Sequence, residues 1–222
     1  MVRDALLVAG KDLRVELRSR VAVMQVLPFA MLVLVVFAFA LDGDQTTLRR
    51  LTAGLYWTAV LFASILVIQR AFSVESADGV RDALRLSGLA PTAVFLGKAA
   101  AIAVELAVLE ALLGVGVAVL YGTRLGGWGL LVATCAVATI GVAAAGTLYG
   151  ILAAGLRVKE TILPILLLPV LAPVLIGATR AFGAALGDVA VDGWSWFNLL
   201  AIFALVYVAM GLVAFGPLLE ES

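Results

Sequence analysis

Six stretches of this chain run without charge, or nearly so, for long enough to cross a lipid bilayer, and that excludes most folds before any motif is read. Between consecutive charged residues lie Val21 to Leu41, Leu51 to Gln69, Ala99 to Thr123 (interrupted only by Glu105 and Glu110), Leu125 to Leu156, Thr161 to Thr179 and Gly193 to Leu219. A helix needs about 20 apolar residues to span roughly 30 Å of hydrocarbon, and each stretch supplies them. Backbone donors and acceptors find no water inside lipid. Runs this continuous suit helices, not the alternating strands of a barrel. With 64% hydrophobic and only 14% charged residues, a water-soluble monomer of this length would be left with far too much apolar surface. The expected fold is an all-α integral membrane protein with six transmembrane helices, at approximately 21–41, 51–69, 99–121, 130–154, 161–181 and 194–216.

The opening segment, Met1 to Arg20, carries eight charges before the first apolar run, so a cleavable signal is not expected. Within it Val2, Leu6, Ala9, Leu13 and Leu17 recur at three- and four-residue spacing, with Arg3, Lys11, Arg14, Arg18 and Arg20 largely off that stripe. This pattern predicts an amphipathic interfacial helix over residues 1–20 with its cations near lipid headgroups; a solvated extension of the first span is the alternative. Lys and Arg counts set the orientation. The N-terminus and the even-numbered connections hold eleven, the other side four, namely Arg49, Arg50, Arg124 and Arg180. Both termini are therefore expected in the cytoplasm.

Other features narrow the chemistry. Net charge is zero and no basic patch with interleaved aromatics occurs, so nucleic acid is not an expected partner. Histidine is absent from the sequence, which removes the commonest metal ligand and the usual general base; no metal site is expected. Gly97-Lys98 superficially suggests a P-loop, but Thr92 stands where its first glycine belongs and Ala99 where a Ser or Thr would hold magnesium. ATP hydrolysis is not expected on this chain, and no catalytic residues are assigned. The single cysteine, Cys135, lies within a span and reads as a packing residue.

The longest hydrophilic connection, Arg70 to Lys98, is placed in the cytoplasm by the charge rule. Asp78 can cap a short helix on which Val80, Ala83, Leu84 and Ser87 make a narrow apolar face, with Arg81, Asp82 and Arg85 outward and Gly88 as C-terminal stop. Ala90-Pro91 then restarts a helix, proline in its first turn, that runs through Phe95 into the third span. A capped helix joined by a tight corner to a span is a lever that can dock in a partner's groove; an ordinary ordered loop is the alternative.

Within the spans, Glu105 and Glu110 lie five residues apart, which points them to faces about 140° apart rather than together. Each is a polar candidate for a subunit interface or a cavity, or is hydrogen-bonded to a neighbouring helix. Gly146 and Gly150 form a small-xxx-small contact, within the bundle or against a second copy. Pro164, Pro169 and Pro173 should kink or locally unwind the fifth span. The connection Gly183 to Gly193, with Asp188 and Asp192 and then Trp194 and Trp196, reads as an aqueous loop followed by an interfacial anchor.

The stretch Glu75-Ser76-Ala77-Asp78-Gly79-Val80-Arg81-Asp82-Ala83-Leu84-Arg85-Leu86, with Ala90-Pro91 and Leu96-Gly97-Lys98, resembles the acidic-Gly-x-x-x-x-Leu and Pro...Lys signature of ABC-2 type transporter permeases. More narrowly, the chain resembles the heme exporter protein B (CcmB) family of cytochrome c maturation. Support comes from Arg49-Arg50-Leu51-Thr52-Ala53-Gly54-Leu55-Tyr56-Trp57, from Gln69-Arg70-Ala71-Phe72, and from the prolines of the fifth span. The family often has Glu where Gln69 stands and Ser or Thr where Val80 stands. The resemblance implies a single permease domain over residues 1–222 in the bacterial plasma (inner) membrane. It implies ATPase coupling through Glu75, Asp78, Gly79, Asp82, Leu84, Leu86 and Pro91. Implied partners are a CcmA-like ATPase subunit, CcmC- and CcmD-like membrane proteins, a periplasmic heme chaperone, membrane lipid and a second copy of the chain. ATP is then held by the ATPase, and heme is handled by the complex, with lasting ligation on a partner since this chain has no histidine. Alternatives are a generic ABC-2 exporter of a lipid, drug or polysaccharide, or a membrane scaffold that transports nothing. An intramembrane enzyme would need convergent polar residues that the spans do not show.

Overall fold

The computed structural model describes residues 1–42, 44–76, 88–154 and 159–221, and every regular element among them is helical. In chain order these are α1 (Val2–Ser19), a π-helical turn (Ala22–Val26), α2 (Leu27–Ala40), α3 (Gln45–Ser76), α4 (Pro91–Leu120), α5 (Trp128–Ala154), α6 (Lys159–Leu186) and α7 (Gly193–Glu221). Helices α3 to α7 are the five long and apolar enough to cross a membrane; a sixth span arises if α1 and α2, bent by 53° about the π turn, are counted as one. The bend falls between Ser19 and Met24, at the start of the first expected span, 21–41, which is helical from Val21 to Ala40. Arg20 sits in the left-handed region at φ 55°, ending α1, and the π turn delays the regular helix until Leu27.

Each of the other spans extends past its expected bounds at one end or both. α3 begins at Gln45 rather than Leu51 because Asp44 caps it, its carboxylate accepting from the Thr46 and Thr47 amides at 3.0 and 3.4 Å and from the Thr47 hydroxyl at 2.6 Å. α6 continues to Leu186, so the following connection is 187–192 and not Gly183 to Gly193. It stops where Gly187 turns left-handed at φ 78° and the Gly187 and Asp188 amides bond back to the Ala184 and Gly183 carbonyls. Asp192 caps α7 through the Trp194 amide and the Ser195 hydroxyl. α4 starts with Pro91 in its first turn after extended Ala90 (φ −61°, ψ 130°), as its sequence predicts.

Pro164, Pro169 and Pro173 all lie inside α6, which remains α-helical through them; the expected local unwinding is not found. The rings of Pro169 and Pro173 sit on the exposed side, while Leu163, Leu167, Leu171 and Val174 bury the opposite face. Each proline deletes one backbone bond, and the remaining ladder holds the helix.

α5 stands at the centre, touching α3, α4, α6 and α7. From Gly141 to Leu148 every residue is buried, and most are Gly, Ala or Thr, so neighbouring helices come close on all sides. A methyl group at Gly141 would lie 2.9 Å from Phe203 of α7. At Gly146 and Gly150 it would strike Ile68 and Phe72 of α3. The Gly146–Gly150 contact therefore operates inside the bundle. α2 is fixed to α4 by the Tyr121 hydroxyl, which donates to the Leu34 carbonyl at 2.9 Å, and by Met31 lying against Gly116.

Two predictions follow from these contacts. Gly146→Ala should cost about 1–3 kcal/mol through overpacking against Ile68, whereas Gly129→Ala, whose added carbon meets nothing within 4 Å, should shift stability by less than about 0.5 kcal/mol or raise it; thermal unfolding of the solubilised protein compares them. The Thr47 and Ser195 hydroxyls hold the Asp44 and Asp192 carboxyls below their ordinary value of 3.8. Both caps are therefore complete at neutral pH and are lost as pH falls below that value. Hydrogen-exchange protection at Thr46, Thr47 and Trp194 should fall on acidification, and Asn at both positions should remove the dependence.

Candidate functional site

Buried polar side chains are few, and among the described residues two cavities between helices are lined by acidic ones. At one, α4 turns Ala103, Ala107, Ala111 and Gly114 toward α5, whose facing residues include Val132, Cys135 and Thr139. Because these α4 residues are small, the two helices leave a laterally open, mostly apolar groove of about 600 Å³. Glu110 forms its floor and is 5% exposed. The Thr139 hydroxyl donates to Glu110 Oε1 at 2.6 Å, and the Tyr56 hydroxyl of α3 donates to the Glu110 carbonyl at 3.0 Å. Tyr56 also approaches Cys135 Sγ at 3.9 Å and stacks on Phe182 of α6, ring centroids 4.7 Å apart. Side chains from four helices thus gather around Glu110 at the base of an apolar groove.

At the second place, α1 packs along α4 and reaches α3 through Glu16. A methyl group on Gly97 of α4 would sit 2.6 Å from both the Ala5 carbonyl oxygen and Val8 Cβ, so α1 meets α4 at backbone distance. Asp12 pairs with Lys98 of α4 at 3.6 Å, and Glu16 with Arg70 of α3 at 3.0 Å. Lys98, its side chain 3% exposed, also lies 4.9 Å from the ring centre of Phe72. Between these helices is a cavity of about 200 Å³ lined by Lys11, Asp12, Glu16, Arg70, Lys98 and half-buried Glu105.

Glu105 and Glu110 accordingly occupy different cavities, as their angular separation predicts, and form no acid pair. Among the described residues no group of His, Cys, Asp or Glu could hold a metal ion. Of the residues that the resemblance linked to ATPase coupling, Asp78, Gly79, Asp82, Leu84 and Leu86 lie outside the described residues, as does the side chain of Glu75; Pro91 opens α4 beside Gly216 of α7.

α1 docks by a face that overlaps its apolar stripe only in part, at Ala9 and the half-buried Leu13. Val2, Leu6 and Leu17 are 72%, 68% and 76% exposed, while Val8 and Ala9 are buried and Ala5, Asp12 and Glu16 are partly buried beside them. The signal for it is the spacing Ala5-Val8-Ala9-Asp12-Glu16, a small and acidic face that shares Ala9 with the leucine stripe. Tyr56 and Thr139 were missed. Each is compatible with core packing, and only the bundle shows that both point at Glu110.

These features define a multi-pass helical membrane protein with a carboxyl-floored groove and an ion-paired N-terminal helix. The sequence pattern of the CcmB protein family matches residues 3–222. Among similar proteins, heme exporter protein B of Bradyrhizobium diazoefficiens is 27% identical over 220 residues, 96% of this chain and 95% of that protein. That of Rhodobacter capsulatus is 28% identical over 208 residues, 93% of each, and that of Haemophilus influenzae 27% identical over 175 residues, 79% of each. The chain belongs to the CcmB family.

Replacing Thr139 by Val leaves a buried Glu110 oxygen without its donor and should cost about 1–3 kcal/mol, while Thr139→Ser should recover most of it. Comparing the unfolding midpoints of the two variants in one detergent checks this.

Proposed function

We propose that this protein is the membrane permease subunit of an ABC-type complex in cytochrome c-type biogenesis, in which a separate subunit hydrolyses ATP. The observation that carries the reading is the family match over residues 3–222, together with relatives named heme exporter protein B that align along 93% or more of their length. The work of the complex is heme export, or release of a heme-loaded chaperone, across the bacterial inner membrane. Both termini and the connection that precedes Pro91 face the cytoplasm on the Lys and Arg counts.

In this reading the ATPase subunit grips residues 75–86, and force enters the membrane along α4. The support is that α4 runs unbroken from Pro91 to Leu120, so a displacement at its first turn is carried along the whole rod. α4 also carries Glu110, which moves with it against Thr139 of α5 and Tyr56 of α3. Glu110 is then a polar anchor at the α4–α5 groove whose hydrogen bond is made or broken as α4 shifts. A carboxyl in a span must have such a partner to be tolerated.

The test is co-purification with the candidate ATPase subunit and assay of its turnover. Leu84→Asp should abolish association or stimulation; normal ATP turnover and normal cytochrome c maturation in that variant would remove the permease reading. Glu110→Gln should assemble normally yet slow release of heme-loaded chaperone; unchanged release would remove Glu110 from the working parts.

A further inference from the structure

The contacts of α1 form a single device. Its docking face carries two acids one turn apart, Asp12 and Glu16, and each meets a cation from a different helix, Lys98 of α4 and Arg70 of α3. Those are the helices that flank the hydrophilic connection, one ending at Ser76 and the other beginning at Pro91. Lys98 leans on Phe72 of α3 as well, so it joins three helices. Gly97, immediately before it, is the point at which the α1 and α4 backbones touch.

We propose that α1 is an ionic latch that sets the spacing of the Arg70 end of α3 and the Lys98 end of α4. With α1 docked, both cations have an acid partner in a largely dehydrated corner. With α1 lifted away, Lys98 and Arg70 are left partly buried without those acids, a state disfavoured enough that α1, α3 and α4 move together. The latch deepens the permease reading, on which only its effect on turnover rests: α1 becomes a second point at which a cytoplasmic partner can act on α4. Apolar contact alone would hold α1 on α4 regardless of charge sign, and that is the competing account.

The test uses the full chain in lipid nanodiscs with Cys135→Ser, which removes the native cysteine. One spin-label pair, at Leu7→Cys and Ala100→Cys, reports the α1–α4 distance; another, at Ser73→Cys and Ala100→Cys, reports α3–α4. In the otherwise unaltered chain both distributions should be narrow. Asp12→Lys or Lys98→Asp alone should broaden both, shifting the docked-to-released ratio about tenfold or more. The double exchange Asp12→Lys with Lys98→Asp should restore narrow distributions, and Lys98→Arg should never lose them. If Lys98→Asp does not fold, Glu16→Arg against Glu16→Arg with Arg70→Glu gives the same comparison. Narrow distributions in the single reversals, or failure of the exchange to restore them, overturn the latch. If the distances behave as expected while the unaltered chain fails to stimulate the ATPase subunit, the latch stands and the permease reading falls.

Discussion

The run Gly141 to Thr147 in α5 lets other helices approach its backbone from every side, and the remaining packing is arranged around that close approach. In lipid there is no hydrophobic drive between helices, because acyl chains are as apolar as leucine. Close van der Waals contact therefore has to provide the attraction. Ile68 and Phe72 of α3 fill the space that glycine leaves at positions 146 and 150, and Phe203 of α7 does so at 141. With α3 and α7 held to α5, the inward face of α6 closes the bundle through Leu163, Leu167 and Leu171. Between α4 and α5 the groove opens, where α4 presents Ala103, Ala107, Ala111 and Gly114.

The two polar places differ in what their surroundings allow. In the α1 corner, Asp12 bridges Lys11 and Lys98, Glu16 pairs with Arg70, and the cavity is small, which suits contacts that hold helices in register. The α4–α5 groove is three times larger and carries a single carboxyl. One hydroxyl donor satisfies an oxygen of that carboxyl, and a tyrosine from a third helix secures the backbone next to it. A sliding helix can exchange such a bond at little cost, whereas it cannot shed a buried ion pair so easily. The stiff and the adjustable contacts of α4 thus lie at different levels of one helix.

Much of this was legible in the residues. Helical spans 3 to 6 follow directly from apolar length, the start at Pro91 from proline's fixed φ, and the separation of Glu105 from Glu110 from the helical repeat. The errors have local causes. α3 is longer than its apolar run because the Asp44 cap starts the helix ahead of the charged pair Arg49-Arg50. The α1 docking face was missed because leucines draw attention in a hydrophobic stripe, while docking on a glycine needs small side chains. Three prolines in 28 residues of α6 suggest local unwinding, yet the helix stays α-helical through them with two rings turned outward.

The sequence by itself determined that the chain enters a membrane, that it does so as helices, and roughly where each helix runs, because lipid offers a backbone no other way to satisfy its hydrogen bonds. It also carried the resemblance to the CcmB family, which the pattern match over residues 3–222 bears out. Only the tertiary structure decided which faces meet: that Gly146 serves α3 and not another copy, that Thr139 and Tyr56 converge on Glu110, and that Asp12 and Glu16 reach Lys98 and Arg70. The physical reason is that nearly every face of these helices is apolar, so periodicity hardly distinguishes core from lipid. The shape fit at glycines and the pairing of a few charges make the choice.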